Sequence, residues 1–261
     1  MSFRDGRSMT TLAVVETIRT ERVGPHIVRV TVGGEQLDAL PRHGYDQWFR
    51  MFLPSSGGET SFELPAKLDM VGYFRYLRMP KATRPPMRNY TVRAFRQDAG
   101  ELDIDFVVHG ESGVAGPWAQ RATPGERVAL LDQGRGYDPL PGAASHLLAA
   151  DESGLPAVAG ILRDLPRDAA GVAYLEIPHA DDEQDLDAPD DVDVRWLVRP
   201  QGARPGSVAL AEMKAQPVPA GPLSAYVVGE QKLATTARKW LTGENGVPKA
   251  NVTCQAYWRQ S

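Results

Sequence analysis

This chain of 261 residues has a single cysteine, and it lacks long apolar runs and a large net charge of one sign. Its single cysteine, Cys254, excludes an internal disulfide framework and leaves a zinc or iron–sulfur site without ligands, which is typical of a reducing cytoplasm. The apolar stretches are too short to cross a bilayer or to form a secretory signal. With 29 basic and 33 acidic residues, a global attraction to nucleic acid is excluded. We therefore expect a soluble, cytoplasmic protein without membrane insertion.

Signature motifs of several enzyme classes are missing as well. The chain has no Gly-x-x-x-x-Gly-Lys-Ser/Thr phosphate loop and no Gly-x-Gly-x-x-Gly fingerprint, so a standard Rossmann dinucleotide site is excluded. Residues 110–113, Gly-Glu-Ser-Gly, begin like the nucleophile elbow of a serine hydrolase, but Val114 stands where the second glycine belongs. No internal repeat or coiled-coil pattern occurs, and we expect a monomer.

Residues 1–140 are predicted to form a β-domain. Short apolar or alternating runs, separated by Gly, Pro and Asp, predict six strands at residues 11–20, 27–32, 46–52, 90–95, 102–108 and 127–131. Six strands in this arrangement suggest a small antiparallel β-barrel. Residues 55–86 interrupt them with a Gly-Ser tip and a possible short helix over 67–78. This basic insertion is either a lid or a solvent-exposed loop.

Residues 141–261 are predicted to form an α/β domain with a mostly parallel sheet. Strand-length apolar runs occur at residues 146–150, 173–177, 194–198, 225–228 and 252–258. Helical spacing follows the first run from Leu155 to Leu165 and precedes the last from Leu233 to Leu241. The acidic segment 181–193 is predicted to be a solvated loop.

One predicted strand carries side chains suited to a flavin. In the run Arg88-Asn89-Tyr90-Thr91, alternate side chains project to opposite faces of the strand. An arginine fork suits a diphosphate, a phenol ring offers a flat surface to an isoalloxazine, and a threonine hydroxyl can bond a ring heteroatom. The glycine-rich turn at 113–116, before a predicted helix, can add backbone donors to the same diphosphate. The alternative for the four-residue run alone is an ordinary exposed strand.

Six segments, taken together, resemble the siderophore-interacting protein family of FAD-containing ferric-siderophore reductases. They are Asp-Phe-Val-Val-His-Gly at 105–110, Gly-Pro-Trp-Ala at 116–119, Pro-Gly-Glu at 124–126, Ala-Asp-Glu-Ser-Gly-Leu-Pro-Ala at 150–157, Val-Gly-Glu at 228–230 and Tyr-Trp-Arg at 257–259. The resemblance covers nearly the whole chain in the right order. It implies a ferredoxin-reductase-like fold, with a FAD-binding β-barrel at 1–140 and an NAD(P)H-binding-like α/β domain at 141–261.

The resemblance also implies a set of cofactor-binding residues. Arg88 would contact the FAD diphosphate, Tyr90 would stack near the isoalloxazine, and Thr91 would bond the ring edge. Core packing is the alternative for Trp118, and it competes with a place at the flavin face for Trp258. The full predicted set is Arg88, Asn89, Tyr90, Thr91, Val92, Asp105, Val107, His109, Gly113, Val114, Ala115, Gly116, Trp118, Ser153 and Trp258.

Nucleotide and substrate residues follow from the same resemblance. The predicted nucleotide-binding residues are Asp151, Glu152, Ser153, Gly229 and Glu230, with helix capping as the alternative for Asp151 and Ser153. Ferric siderophores are often anionic or rich in oxygen, so positive charge is expected beside the flavin. Arg50, Arg135 and Arg259 are the candidates, and solvated surface arginines are the alternative for each.

The implied reaction carries electrons from NADH or NADPH through FAD to chelated Fe(III), and it releases Fe(II). The protein needs no metal site of its own, because the ferric siderophore is the substrate. Three alternatives stay open: a reductase that takes electrons from ferredoxin, a general flavin reductase, and a non-catalytic siderophore- or flavin-binding protein. Arg199, Arg204 and Lys239 are candidates to hold the 2′-phosphate that distinguishes NADPH.

Overall fold

The strands of the chain form two separate sheets, one in each half of the sequence. The computed structural model describes residues 11–55, 59–65, 67–108 and 113–260. The first sheet has seven strands and the second has five, and they follow one another along the chain. Two domains with different sheet architectures, as predicted, are therefore present.

The first sheet is antiparallel throughout. Its strands are β1 (Leu12–Gly24), β2 (Ile27–Gly33), β3 (Trp48–Phe52), β4 (Met87–Thr91), β5 (Ala94–Arg96), β6 (Glu101–Val107) and β7 (Arg127–Asp132). They are ordered β4-β3-β7-β1-β2-β6-β5. Inward-facing side chains such as Val30, Ile104 and Phe106 form its core, which the helix α2 (Ala115–Arg121) covers through Trp118.

The sheet has seven strands rather than the six predicted, because residues 90–95 divide between β4 and β5. The backbone changes its pairing partner at this point. The amide of Val92 donates to the carbonyl of Gln47, next to β3, whereas the amide of Arg93 donates to Asp103 in β6. A continuous apolar pattern does not reveal such a change of partner.

The second sheet is parallel throughout. Its strands are β8 (Ser145–Ala150), β9 (Gly171–Ile177), β10 (Val192–Val198), β11 (Leu223–Glu230) and β12 (Val252–Trp258), in the order β10-β9-β8-β11-β12. The five predicted strands are confirmed. The two predicted helices are confirmed as α3 (Leu155–Asp164) and α5 (Gln231–Lys239), while α4 (Ser207–Ala215) lacked a clear sequence signal.

The central strands of the parallel sheet are apolar on both faces because helices cover both sides. In β8, Leu148 and Ala150 pack into one buried cluster with α3, and Leu147 and Ala149 pack into another with α5. The strand order reverses between β8 and β11, since the chain winds outward first to one side of β8 and then to the other. In such sheets, ligands bind at the carboxyl ends of the strands at this switch point.

The described part of the insertion before β4 contains one helix, α1 (Met70–Arg78). It begins at Met70, not at residue 67, because the Asp69 side chain caps it by accepting from the amide of Gly72 at 2.8 Å. Tyr76 points inward, packs against Phe52 and donates to the carbonyl of Pro85. Among helices in the described ranges, none combines the length and apolar character needed to cross a bilayer.

We expected the acidic segment at 181–193 to be a solvated loop, but part of it is buried. The Asp182 side chain is fully buried and accepts from the backbone amide of His26 at 2.8 Å, while its second oxygen lies 2.7 Å from the His26 ring. Gln184 accepts from Arg29 and Arg93 of the first domain. This segment therefore connects the two domains, although most of its other acidic side chains are exposed.

Candidate active site

A cavity of about 330 Å³ lies between the outer strand β4 and the carboxyl edge of the parallel sheet. Binding sites for cofactors typically have volumes of about 300–1,000 Å³. Both domains contribute to its lining, which consists of Asp46, Trp48, Arg88, Asn89, Tyr90, Thr91, Asp105, Val107, Glu152, Ser153, Pro156, Gln255, Ala256, Tyr257 and Trp258. The cavity thus lies where the sheet topology favours a ligand.

The strand β4 supplies four consecutive lining residues. Arg88 and Asn89 are exposed, while Thr91 is buried. The Tyr90 ring packs on Phe106 with 4.3 Å between the ring centroids. Burial raises the pKa of the Tyr90 phenol above its ordinary value, so the ring stays uncharged at neutral pH. β4 therefore presents a cation, an amide and a flat aromatic surface together.

Asp105 also lines the cavity and is held by two arginines. Its carboxylate accepts from Arg29 Nε at 2.6 Å and from Arg29 Nη2 at 2.8 Å. Arg93 lies 3.5 Å from the same carboxylate, and the Gln184 amide of the second domain donates to this carboxylate at 3.5 Å. Because its charge is already compensated, Asp105 does not oppose an anionic ligand in the cavity.

The carboxyl ends of β8 and β11 meet through the buried side chain of Asp151. Its carboxylate accepts from the amide and hydroxyl of Ser153 at 2.9 and 2.5 Å, from the amide of Glu230 at 2.6 Å, and from the Trp258 indole at 3.3 Å. Burial and the charge of Glu152 raise the pKa of Asp151 to about 6. Gly229 has a φ of +128°, and a Cβ there would lie 2.6 Å from this carboxylate.

Glu152 and Glu230 are also buried and paired. Arg199 forms two hydrogen bonds with Glu152, at 2.7 and 2.8 Å, and one with Glu176 at 2.9 Å. Arg204 donates to Glu230 at 2.9 Å. Both arginines that the sequence suggested for a 2′-phosphate therefore already have carboxylate partners, and Lys239 is not among the described residues that line the cavity.

The charges of the lining suit an anionic cofactor such as FAD. The three carboxylates of the lining, on Asp46, Asp105 and Glu152, all accept from donors within the protein. Arg88 donates only to the neighbouring carbonyl of Met87, at 2.8 Å, and no carboxylate of the described residues pairs with it. Its guanidinium is free to bind a diphosphate, and Tyr90 offers a ring beside it. These residues therefore fit FAD.

Family models match both halves of the chain. Residues 16–136 match the siderophore-interacting FAD-binding domain, and residues 143–261 match the siderophore-interacting protein model. The chain belongs to the siderophore-interacting protein family. The resemblance seen in the sequence is thereby confirmed.

Members of this family and related flavoproteins are similar over most of the chain. The ferric vibriobactin reductase ViuB of Vibrio cholerae is 33% identical over 95% of this chain and 89% of its own. The NADPH-dependent ferric-chelate reductase of Escherichia coli is 29% identical over 92% of this chain and 90% of its own. The crystal structure of a siderophore utilization protein from T. fusca, 32% identical, superposes with a TM-score of 0.79 over 97% of this chain and 94% of that chain.

The ferredoxin-reductase-like fold is confirmed by a more distant structure. The ferredoxin reductase in carbazole 1,9a-dioxygenase is 15% identical and superposes with a TM-score of 0.66, over 95% of this chain and 70% of that chain. At this identity the likeness shows the fold alone. It agrees with an antiparallel sheet followed by a parallel one.

Several family-implied cofactor residues lie outside the lining of the cavity. Val92 is buried in the core of the first sheet. Trp118 packs against Phe106, and its indole donates to Glu126 at 3.0 Å, which is the core role weighed as an alternative. Gly113 and Val114 precede α2, and Ala115 and Gly116 are its first two residues. His109 lies outside the described residues.

The three arginines suggested for substrate binding do not line the cavity. Arg50 extends toward the carbonyl of Leu68, at 3.5 Å. Arg135 stacks on the Tyr45 ring at 5.0 Å and pairs with Asp138. Arg259 is exposed. The described lining therefore contains one arginine, Arg88.

A series of hydrogen-bonded polar side chains at the cavity was not predicted from the sequence. Asp46 accepts from the amides of Gly136 and Tyr137 and from the Tyr226 hydroxyl at 2.8 Å, and Tyr226 in turn lies 2.8 Å from the Tyr257 hydroxyl. Burial raises the pKa of Tyr226 well above its ordinary value. Asp46 is 180 residues from Tyr226 along the chain, so no local pattern could indicate their contact. Trp48, Pro156, Gln255 and Ala256 were also missed.

Proposed function

We propose that this chain is an FAD-dependent ferric-siderophore reductase that takes its electrons from NADPH. The observation that carries the proposal is a cavity that joins β4, with its unpaired Arg88, to the switch point of a parallel sheet. Support comes from relatives named as reductases of ferric vibriobactin and of ferric chelates, the second of them NADPH-dependent. The enzyme is an oxidoreductase.

The first domain would hold FAD mainly through β4. Arg88 would bind the diphosphate as a charge-assisted donor, and Tyr90 would lie against the ring system. Thr91, whose side chain borders the cavity, would orient the ring edge. Asp105 and Val107 would border the adenosine half, with Asp105 held rigid by Arg29. The turn at Gly113–Gly116 would contribute backbone donors.

The second domain would admit the nucleotide at the carboxyl ends of β8 and β11. Ser153 and Trp258 line the cavity, and both are held by the same buried Asp151 carboxylate. Trp258 would therefore cover the open side of the site at a defined angle. Asp151 and Glu230 are fully buried, so their part would be to shape the turn rather than to touch the nucleotide.

Bound FAD would supply the conversion of a two-electron hydride transfer into the single-electron steps that Fe(III) accepts. The protein would orient the donor and exclude water through Tyr90, Tyr257 and Trp258. Hard oxygen donors hold Fe(II) more weakly than Fe(III), so reduction would loosen the chelate and release the iron. An arrangement of this kind requires no catalytic acid or base.

An anaerobic absorbance titration would test the proposal. Protein loaded with FAD is titrated with NADPH and separately with NADH, and a ferric siderophore is then added with an Fe(II) trap. We expect NADPH to bleach the flavin spectrum and the ferric chelate to restore it with trapped Fe(II). Bleaching by reduced ferredoxin alone would replace the donor, and a spectrum that no donor changes would favour a binding protein. Failure to bind FAD would contradict the proposal.

We also infer several finer features. The first sheet would close into a barrel, because its outermost strands β4 and β5 are joined by only Val92 and Arg93 and Tyr90 packs on β6. The domain boundary would lie near residue 140, between β7 and β8. The protein would be a monomer that works in the cytoplasm, where the lone thiol of Cys254 stays reduced.

A further inference from the structure

Helix α1 exposes an unusual amount of apolar surface. Eight large hydrophobic side chains are exposed in the described residues, and five of them lie on this helix: Met70, Val71, Tyr73, Phe74 and Leu77. Met70, Val71 and Phe74 keep 77%, 68% and 58% of their surface in solvent. Only Gly72 and Tyr76 are buried, so the helix packs on the first sheet by a narrow side. Its broad outward face has no partner among the residues that the structure describes.

Unpaired cations surround this apolar face. Arg75 and Arg78 are exposed on α1, and Lys67 and Lys81 are exposed on either side of it. No carboxylate of the described residues forms an ion pair with any of the four. The chain as a whole carries a net charge of −4, so this positive charge is a local feature. An apolar helix face flanked by Lys and Arg is the composition of helices that lie in a membrane interface.

The size of the face argues against a protein partner. A helix of nine residues is about 14 Å long, so the face is formed by one short element rather than by an extended patch. A stable protein interface buries about 800 Å² on each partner. A bilayer needs no matching shape, because each side chain inserts separately and each cation adds its own attraction to anionic headgroups.

We propose that the outward face of α1 docks on a membrane surface that contains anionic phospholipid. Met70, Val71, Phe74 and Leu77 enter the boundary of the acyl chains, and Arg75 and Arg78 contact the headgroups. Docking is peripheral and reversible, and it does not depend on the proposed reductase activity.

Flotation of the FAD-loaded full chain with vesicles tests this inference. One set of vesicles is pure phosphatidylcholine, and the other contains equal parts of phosphatidylcholine and phosphatidylglycerol. We expect binding to the anionic vesicles to be about tenfold stronger, and to weaken as salt is added. The variant Val71→Ser/Phe74→Ser should lose about tenfold in binding, and Arg75→Glu/Arg78→Glu should lose at least as much.

Matched controls separate the local face from general effects. Val198→Ser removes an exposed apolar side chain of the second domain. Lys239→Glu/Lys249→Glu changes the net charge by the same amount as the arginine variant, at exposed positions without ion pairs in the described residues. Both controls should bind anionic vesicles like the unaltered chain. All variants change exposed side chains, and equal thermal unfolding midpoints verify that they fold.

Three results would overturn the inference. The first is an unaltered chain that fails to float with anionic vesicles. The second is a loss of binding in the control variants as large as in the α1 variants. The third is a dimer in sedimentation velocity that Val71→Ser/Phe74→Ser converts to monomer, since a second copy would then cover the face. None of these results requires bound FAD, so all three are distinct from a failure of the reductase proposal.

Discussion

At the scale of single residues, the site depends on which charges remain unpaired. Carboxylates outnumber cations in the cavity lining, yet Asp46, Asp105 and Glu152 all have donors from the protein. Arg88 is the lining cation that no described carboxylate neutralises. The electrostatic preference of the cavity therefore depends on one side chain more than on the net charge of its lining.

Substituting Arg88 should weaken FAD binding specifically. A hydrogen bond to a charged group contributes about 1.5–3 kcal/mol, so Arg88→Gln should raise the dissociation constant of FAD roughly tenfold to a hundredfold. Titration of the apo chain with FAD, followed by quenching of flavin fluorescence, measures this constant. The control Arg167→Gln removes an exposed ion pair away from the cavity and should leave it unchanged. Equal affinities in Arg88→Gln and the unaltered chain would remove Arg88 from the site.

At the scale of elements, the segment between β9 and β10 acts as a connection between domains. Its sequence is acidic, which favours solvent, but Asp182 is fully buried against the β1–β2 turn. A Cβ on Gly24 would lie 2.6 Å from the Asp182 carboxylate, so the close approach requires glycine there. The contact lets a loop of the second domain reach Arg29 and Arg93, which hold Asp105.

Removing the Asp182 side chain should destabilise the protein. Asp182→Ala leaves the amide of His26 without its acceptor, and an unsatisfied buried donor costs about 1–3 kcal/mol. The free energy of unfolding, from urea titration, should fall by this amount. Asp185→Ala changes an exposed carboxylate of the same segment and should alter it by less than about 0.5 kcal/mol. A loss shared by both variants would instead indicate that the acidic charge of the segment matters.

At the scale of the whole molecule, a buried histidine links stability to pH. His146, at the start of β8, is buried and lies 2.7 Å from the hydroxyl of Tyr137, in the segment between the two sheets. Burial lowers the pKa of His146 below its ordinary value. The folded state therefore binds fewer protons than the unfolded chain just below pH about 6.5, and the stability from this group is lost as the pH falls through that range.

The His146→Gln variant should show a weaker dependence of stability on acid. Glutamine can still bond the Tyr137 hydroxyl but does not titrate, so its unfolding free energy should fall less between neutral pH and pH about 5. Urea titrations across this range measure the difference. His179→Gln, at an exposed histidine, should follow the unaltered chain. Identical pH profiles for all three proteins would assign the acid sensitivity to other groups.

The sequence by itself determined the features that depend on short-range residue patterns. Apolar periodicity identified the five parallel strands and the two helices beside them, because alternation and helical spacing are set by the nearest neighbours along the chain. The Arg-Asn-Tyr-Thr run and the family segments indicated a flavin reductase before any contact was known. Eight of the predicted cofactor residues line the cavity, and four of them, Arg88 to Thr91, are consecutive on one strand.

Only the tertiary structure decided which distant residues meet. It joined Asp46 to Tyr226 and Tyr257, buried Asp182, and changed the pairing partner at Val92, because each depends on contacts between segments far apart in the chain. It also decided that the apolar side of α1 faces outward, which periodicity cannot reveal, since an amphipathic helix has the same pattern whether its apolar face is covered or free.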